Sequence, residues 1–165
     1  MRNVYLDYSA TTPVKEEVLK EMLPYFTEKF GNPSSLYDTG LEAKAAVTHA
    51  REQVAALIHA DPKEVFFTAG GTESDNWALF GACDKLKEKG NHIITTKIEH
   101  HAILHSCAFL EKHGFDVTYV GIDKDGRVNL KELEDAITDK TILISVMMVN
   151  NEIGTVQPIR EIAKI

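Results

Sequence analysis

Four short apolar runs, separated by stretches with helical spacing, constrain this chain more than any other feature. They are "EVFFT" (core at 65–68), "HIITT" (92–96), "DVTYV" (116–120) and "ILISVMMV" (142–149). Helical patterns lie between the first three, from Thr72 to Lys89 and from Ala102 to His113. Asn129 then caps "LKELEDAI" before the fourth run, with Glu132 at the third helical position, as in a capping box. Parallel strands cannot be joined by a tight turn, so this alternation predicts an α/β fold: a mostly parallel sheet with helices on both faces. The fourth run is apolar along its whole length, as a strand buried on both sides would be.

Upstream, Thr12 is positioned as a cap and Pro13 as the first residue of a helix carrying Val14, Val18, Met22 and Phe26 on one stripe. Pro24 should kink or shorten it. "FGNPSS" (30–35) is a loop by composition. From Leu41 to Ala60, positions Val47, Ala50, Val54, Leu57 and Ile58 keep helical spacing. "DKDG" (123–126) is a turn without the ligand spacing of a calcium loop. There is no internal repeat and no linker, and 165 residues fit one domain of ordinary size.

The charge balance narrows the partners. With 18 basic and 25 acidic residues the formal net charge is −7 and no basic run occurs, which argues against direct nucleic-acid binding. Cys83 and Cys107 stand alone, outside any disulfide or zinc pattern, and fit a reducing compartment. "MRNVYLDYSATTP" lacks the apolar core of a signal peptide, and no stretch approaches a membrane span. The expected location is cytoplasmic, with no membrane contact.

Ligands of parallel α/β sheets collect where strands end and helices begin. "TAGGTE" (68–73) occupies such a place. Two glycines let backbone N–H groups approach a ligand, the helix start adds partial positive charge, and Thr72 adds a hydroxyl. The spacing is neither G-x-G-x-x-G nor a P-loop. On the turn alone, the ordinary reading is a strand-to-helix connection with Thr72 as N-cap.

Two further clusters shift the balance toward a ligand. "KIEHHAILH" (97–105) follows the second strand and "VNNEIG" (149–154) follows the fourth, so polar groups gather on one sheet edge. Histidine can stack on a flat ring or move a proton, and an asparagine amide can donate to a phenolate-like oxygen. His101 and His105 are four apart, but Glu99 precedes both rather than lying between them, and no third ligand is near. No metal site is expected; both histidines read as solvent-facing or helix-packing. For Asn150 and Asn151 the ordinary reading is a hydrogen-bonded turn.

Taken together, "YLDYSATTP", "FGNPSS", "FFTAGGTESDN", "HIITTKIEHHAIL", "GFDVTYV" and "VNNEIGTVQP" resemble the cysteine desulfurases of the NifS/IscS type, pyridoxal-phosphate enzymes of fold type I in the class-V aminotransferase family. The matching stretches span nearly the whole chain. The resemblance implies the large domain of a fold-type I transferase, with residues 1–13 an N-terminal segment near the active site and 14–165 the N-terminal part of the cofactor-binding domain. It makes Gly71 and Thr72 the phosphate-binding turn of pyridoxal phosphate. His100 becomes the catalytic residue that stacks on the pyridine ring and assists proton transfer. Asn151 becomes the donor to the phenolic oxygen, and Ala10 and Thr11 become substrate-proximal. Tyr37 stands where many members have histidine and Gly71 where some have alanine.

The implied reaction removes sulfur from L-cysteine, leaving L-alanine. The cofactor acts as electron sink while a cysteine takes the sulfur as a persulfide. The sulfur then passes to an iron–sulfur scaffold or another acceptor protein, and the complete enzyme is expected as a homodimer. Selenocysteine lyases and other class-V relatives share the pattern, and a non-catalytic remnant that binds a partner is the third possibility. "QPIREIAKI" stops inside a predicted helix, before the lysine and cysteine segments that the resemblance implies. Cys83 and Cys107 lie in helical patterns and are expected to be buried, inert thiols. This chain alone is expected to be inactive and poorly folded, with the first strand orphaned and the edge at 142–149 exposed, unless a second chain supplies the remainder.

Overall fold

The computed structural model describes residues 2–165, which divide into two compact units, one ending at Phe67 and one spanning Thr68–Ile165. In the first unit, α1 (Glu16–Met22) begins later than Thr12 and Pro13 suggest; Lys15 takes the cap position with extended backbone. Proline fixes a φ that suits extended chain as well as helix, so Pro13 does not commit the segment, whereas Glu16 and Glu17 favour the helix start. Pro24 breaks the pattern as expected: α1 stops at Met22 and α2 (Pro24–Thr27) restarts with the proline at its first position.

The long helix α3 (Asp38–Ile58) starts earlier than its apolar stripe because the "FGNPSS" loop packs directly on its first turn. A β-carbon on Gly40 would lie 2.6 Å from Ser35 Cβ, and one on Gly31 would lie 2.0 Å from Thr39 O, so both positions require glycine. His59, left-handed at φ 55° and ψ 39°, ends the helix. Only Gly40, Ala43 and Ala55 of α3 are buried, and the predicted stripe is largely uncovered, with Leu57 80% and Ile58 60% exposed. Residues 65–67 are not the first strand of a sheet. Val65 is extended (φ −95°, ψ 122°), but the segment joins no ladder; Arg51 donates to Val65 O and lies over the Phe67 ring.

The second unit contains α4 (Gly71–Leu86), β1 (His92–Thr96), α5 (His101–Glu111), β2 (Asp116–Val120), α6 (Leu130–Ala136), β3 (Thr141–Ser145) and α7 (Ile159–Ile162). The sheet is wholly parallel in the order β2-β1-β3. Alternation along β1 sends side chains to opposite faces. Ile93 packs with Cys83 and Leu110 of α4 and α5, while Ile94 packs with Val120, Val128 and Leu133 on the α6 side. Helices therefore cover both faces, as predicted. Ile93 and Ile94 are fully buried, each worth roughly 1.5–3 kcal/mol.

The fourth apolar run pairs over only part of its length, and its strand residues are half-buried rather than buried. After Ser145 the Met147 N–H turns to the Glu99 carboxylate, and Met148 and Val149 join a local antiparallel contact with Val156 and Gln157. Asn129 caps α6, its Oδ1 accepting from Glu132 N at 3.1 Å. The capping box is half-formed, because Glu132 accepts from Gly121 N (3.0 Å) and the Asn129 N–H donates to Gly121 O instead. The "DKDG" turn forms, with Gly126 at φ 78°.

At the opposite end of the sheet, His92, the first residue of β1, is buried and bridges the strands on either side. Its Nδ1 meets Thr141 Oγ1 of β3 at 2.8 Å and its Nε2 meets Thr118 Oγ1 of β2 at 2.9 Å. Replacing His92 with alanine leaves Thr118 Oγ1 without its partner, while Thr141 Oγ1 keeps the N–H of Thr138 at 2.8 Å, at a cost of about 1–3 kcal/mol. The urea midpoint should fall accordingly, and an unchanged midpoint would refute the clamp.

Candidate functional site

The turn "TAGG" opens α4 directly: Gly70, not Thr72, is the cap residue, and Gly71 is the first helical position. The N–H groups of Gly71, Thr72 and Glu73 have no acceptor among the described residues; the first N–H of the helix to be used is that of Ser74, donating to Gly70 O at 3.1 Å. β-Carbons built on Gly70 and Gly71 would meet nothing within 4 Å, so the side-chain side of both glycines is open. Beside them is a hollow of about 530 Å³ lined by Ala69, Gly70, Gly71, Thr72, Glu73 and Asn76. Around it the turn is braced. Thr68 Oγ1 lies 2.7 Å from Ser74 Oγ, and Glu73 folds back so that its carboxylate accepts from Ala69 N at 2.5 Å. This cradle suits a phosphate or carboxylate, because unpaired N–H groups lie at the start of a 16-residue helix beside an open hollow with ample room for such a group.

His100 caps α5 from the end of β1. Its Nδ1 accepts from Ala102 N at 3.1 Å. A ring nitrogen that accepts carries no proton, so the neutral ring bears its proton on Nε2, free to donate outward. The ring is exposed, and the next histidine ring is 6.3 Å away in an edge-on arrangement. His101 and His105 are also exposed and stack at 5.3 Å; no cluster of metal-ligating groups occurs among the described residues.

The two asparagines divide their work. Asn150 is buried and forms the turn: its Oδ1 accepts from Glu152 N (2.9 Å) and Ile153 N (3.0 Å), while its Nδ2 donates to Ile98 O (3.0 Å). Asn151 is exposed, and its amide donates to Glu152 Oε1 at 3.0 Å. The ordinary turn role thus falls to Asn150, leaving Asn151 presented at the edge.

Glu99 and Asn76 are the residues that sequence reasoning did not single out here. Asn76 Oδ1 accepts from Ser106 Oγ, joining α4 to α5. Glu99 is buried between the ends of β1 and β3, accepting from Thr96 Oγ1 (3.2 Å) and Met147 N (2.6 Å). Burial pushes its carboxyl up from the ordinary range, the two hydrogen bonds pull it down, and the Asp75 charge in the first turns of α4 raises it again. A single acid beside a histidine carries no pattern in the sequence; only its burial sets it apart. Thr95 Oγ1, on the same strand, is buried without a partner among the described residues. Gly71, Thr72, His100 and Asn151 all belong to the second unit, on turns that follow strands or open helices. Ala10 and Thr11 lie in the first unit, exposed on a turn where both N–H groups donate to Asp7 O.

The chain belongs to the class-V aminotransferase family, which it matches over residues 4–165. That family comprises pyridoxal-phosphate enzymes. The chain is 60% identical over 164 residues to a protein named cysteine desulfurase IscS from Clostridium botulinum (strain Kyoto / Type A2), covering 99% of this chain and 41% of the relative. Among solved structures it resembles a NifS-like protein with a TM-score of 0.96 at 42% identity, covering 99% of this chain and 45% of that one. A structure described as SspA in complex with cysteine matches with a TM-score of 0.93 at 43% identity, over 97% of this chain and 46% of the other. The chain therefore spans about two fifths of the length of the curated relative.

Both cysteines are free and buried, as expected. Burial raises the Cys83 thiol; Cys107 is pushed up to about 11, first by burial and then by Cys83, Glu111 and Glu99. Between pH 9 and about 11 the unfolded thiol of Cys107 loses its proton while the folded one keeps it, so stability is lost as pH rises through that window. At pH 8 neither thiol should react with an aromatic disulfide until denaturant is added, and the rate without denaturant should climb only as pH approaches 11. Rapid labelling of folded protein at pH 8 would contradict this placement.

Proposed function

We propose that the intact protein is a pyridoxal-phosphate-dependent cysteine desulfurase that converts L-cysteine to L-alanine and holds the sulfur as an enzyme persulfide. The observation that carries this is the open cradle of unpaired N–H groups at Gly71, Thr72 and Glu73, on the same unit as an outward His100 and an exposed Asn151. The 60% identity to a cysteine desulfurase and the likeness to a cysteine-bound relative support the choice of substrate.

Gly71 and Thr72 would hold the cofactor phosphate through backbone N–H groups, with the Thr72 hydroxyl as a further donor. His100 would stack on the pyridine ring and use its Nε2 to move a proton. Asn151 would donate to the phenolic oxygen. When bound, the cofactor supplies an electron sink for bonds broken at the substrate α-carbon. Ala10 and Thr11 are the substrate-proximal residues of this proposal. Residues 1–13 form its active-site segment and 14–165 the first part of its cofactor-binding domain. It further takes the protein as a cytoplasmic homodimer that hands sulfur to an iron–sulfur scaffold or another acceptor protein; free thiols suit that compartment.

Incubating the intact protein with pyridoxal phosphate and L-cysteine should yield alanine and sulfide in the presence of a reductant. Gly71→Asp sets a carboxylate where the phosphate enters and should weaken cofactor affinity by about tenfold or more, roughly 1.4 kcal/mol. Absorbance of the bound cofactor reads that change. No alanine from the wild type, or an unaltered affinity in Gly71→Asp, would overturn the proposal.

A further inference from the structure

Glu99 is a buried acid, 7% exposed, with no ion pair among the described residues. Carboxylates are seldom buried without a paired charge, because neutral hydrogen bonds return only part of the lost hydration. A leucine would fill comparable space without that cost, so the acid is present for what it holds. Its Oε1 accepts from both strand ends. Thr96, which donates at 3.2 Å, is the last residue of β1, and Met147, whose N–H donates at 2.6 Å, lies two residues beyond the end of β3. A second tie runs the other way, from the buried Asn150 amide to Ile98 O at 3.0 Å. These bonds clamp residues 96–99 to residues 147–150. The next residue after each clamped stretch is His100 in one case and Asn151 in the other.

We infer that Glu99 is a positioning residue: by locking the two strand-end turns together it fixes His100 and Asn151 relative to each other, so that both address a single flat ligand. This rests on the reading of the edge as a pyridoxal-phosphate site. The clamp needs an acceptor oxygen, not a negative charge, since both of its donors are neutral. Glutamine keeps such an oxygen in place, and leucine removes it at similar volume. The phosphate cradle at Gly71 is built by the turn at 68–70 and the first turns of α4, and among the described residues it shares no hydrogen bond with the clamp residues.

The test compares Glu99→Leu and Glu99→Gln in the intact protein by two measurements. Without cofactor, the ring resonances of His100 and the side-chain amide of Asn151 should both shift in Glu99→Leu and return to wild-type positions in Glu99→Gln. With ligands, Glu99→Leu should bind pyridoxal phosphate about tenfold more weakly while its affinity for inorganic phosphate changes less than twofold, and Glu99→Gln should restore the former. Thr96→Val, which removes one donor alone, is the milder variant should Glu99→Leu not fold; it should shift His100 in the same direction by less. Unmoved His100 and Asn151 signals overturn the inference, as does an equal loss of pyridoxal phosphate and phosphate, which marks general loosening. Wild-type protein that binds no pyridoxal phosphate would sink the cofactor reading instead, while the cofactor-free spectra still decide the role of Glu99.

Discussion

The structure of the second unit depends on parallel pairing of β1 with a neighbour on each side. Parallel strands run the same way, so each return of the chain must cross over the sheet, and helices α5 and α6 do so. The crossovers cover the faces and bury Ile93 on one and Ile94 on the other. They also bring the C-terminal ends of β1 and β3 to one edge, where the chain leaves each strand through polar turns. The sheet is thus both the source of stability and the reason that Glu99, His100, Asn150 and Asn151 are neighbours of strand ends. At its other end, His92 joins the three strands by side-chain contacts that the backbone ladder does not supply.

Those strand ends are acidic, and that bears on how an anion could bind. Glu73 lines the cradle, and the Asp75 charge on the same helix reaches the buried Glu99. The carboxylates of Glu73 and Glu99 are each engaged by local donors. Glu73 is turned onto the N–H of Ala69, before the helix, and Glu99 is spent on Thr96 and Met147. The donors of Gly71, Thr72 and Glu73 are left beside the hollow, with the helix dipole behind them. Positive potential here comes from backbone groups, not from Lys or Arg, consistent with a chain whose net charge is −7.

The strands β1 and β2 and the helices of the second unit were legible because period and length agree there: short apolar runs between helical patterns leave few other arrangements. The segment at 65–67, extended at Val65, is unpaired, in line with the expectation that the first strand would be orphaned here, since an extended apolar run becomes a strand only with a partner. The end of β3 was not legible. "VMMV" is apolar enough to continue a strand, but the buried carboxylate of Glu99 captures the Met147 N–H and turns the chain. Cap residues were half legible: Asn129 behaves as its type predicts, whereas Glu132 finds a nearer donor in Gly121, a contact between elements.

For the site, residue type was a better guide than role. A histidine after a strand reads as a ring-stacking or proton-moving group, and His100 is exposed with its Nε2 outward; its use of Nδ1 as a helix cap is a backbone detail no spacing reveals. The pair Asn150 and Asn151 looks equivalent in sequence, yet one is buried as a turn and tie and the other is presented. The difference follows from one residue of chain: the first asparagine lies where the turn folds under Ile98, and the second has already passed it. A one-residue slip of the turn there would exchange the structural and the exposed amide without altering composition, so the geometry of this edge depends on turn register as strictly as the core depends on strand register.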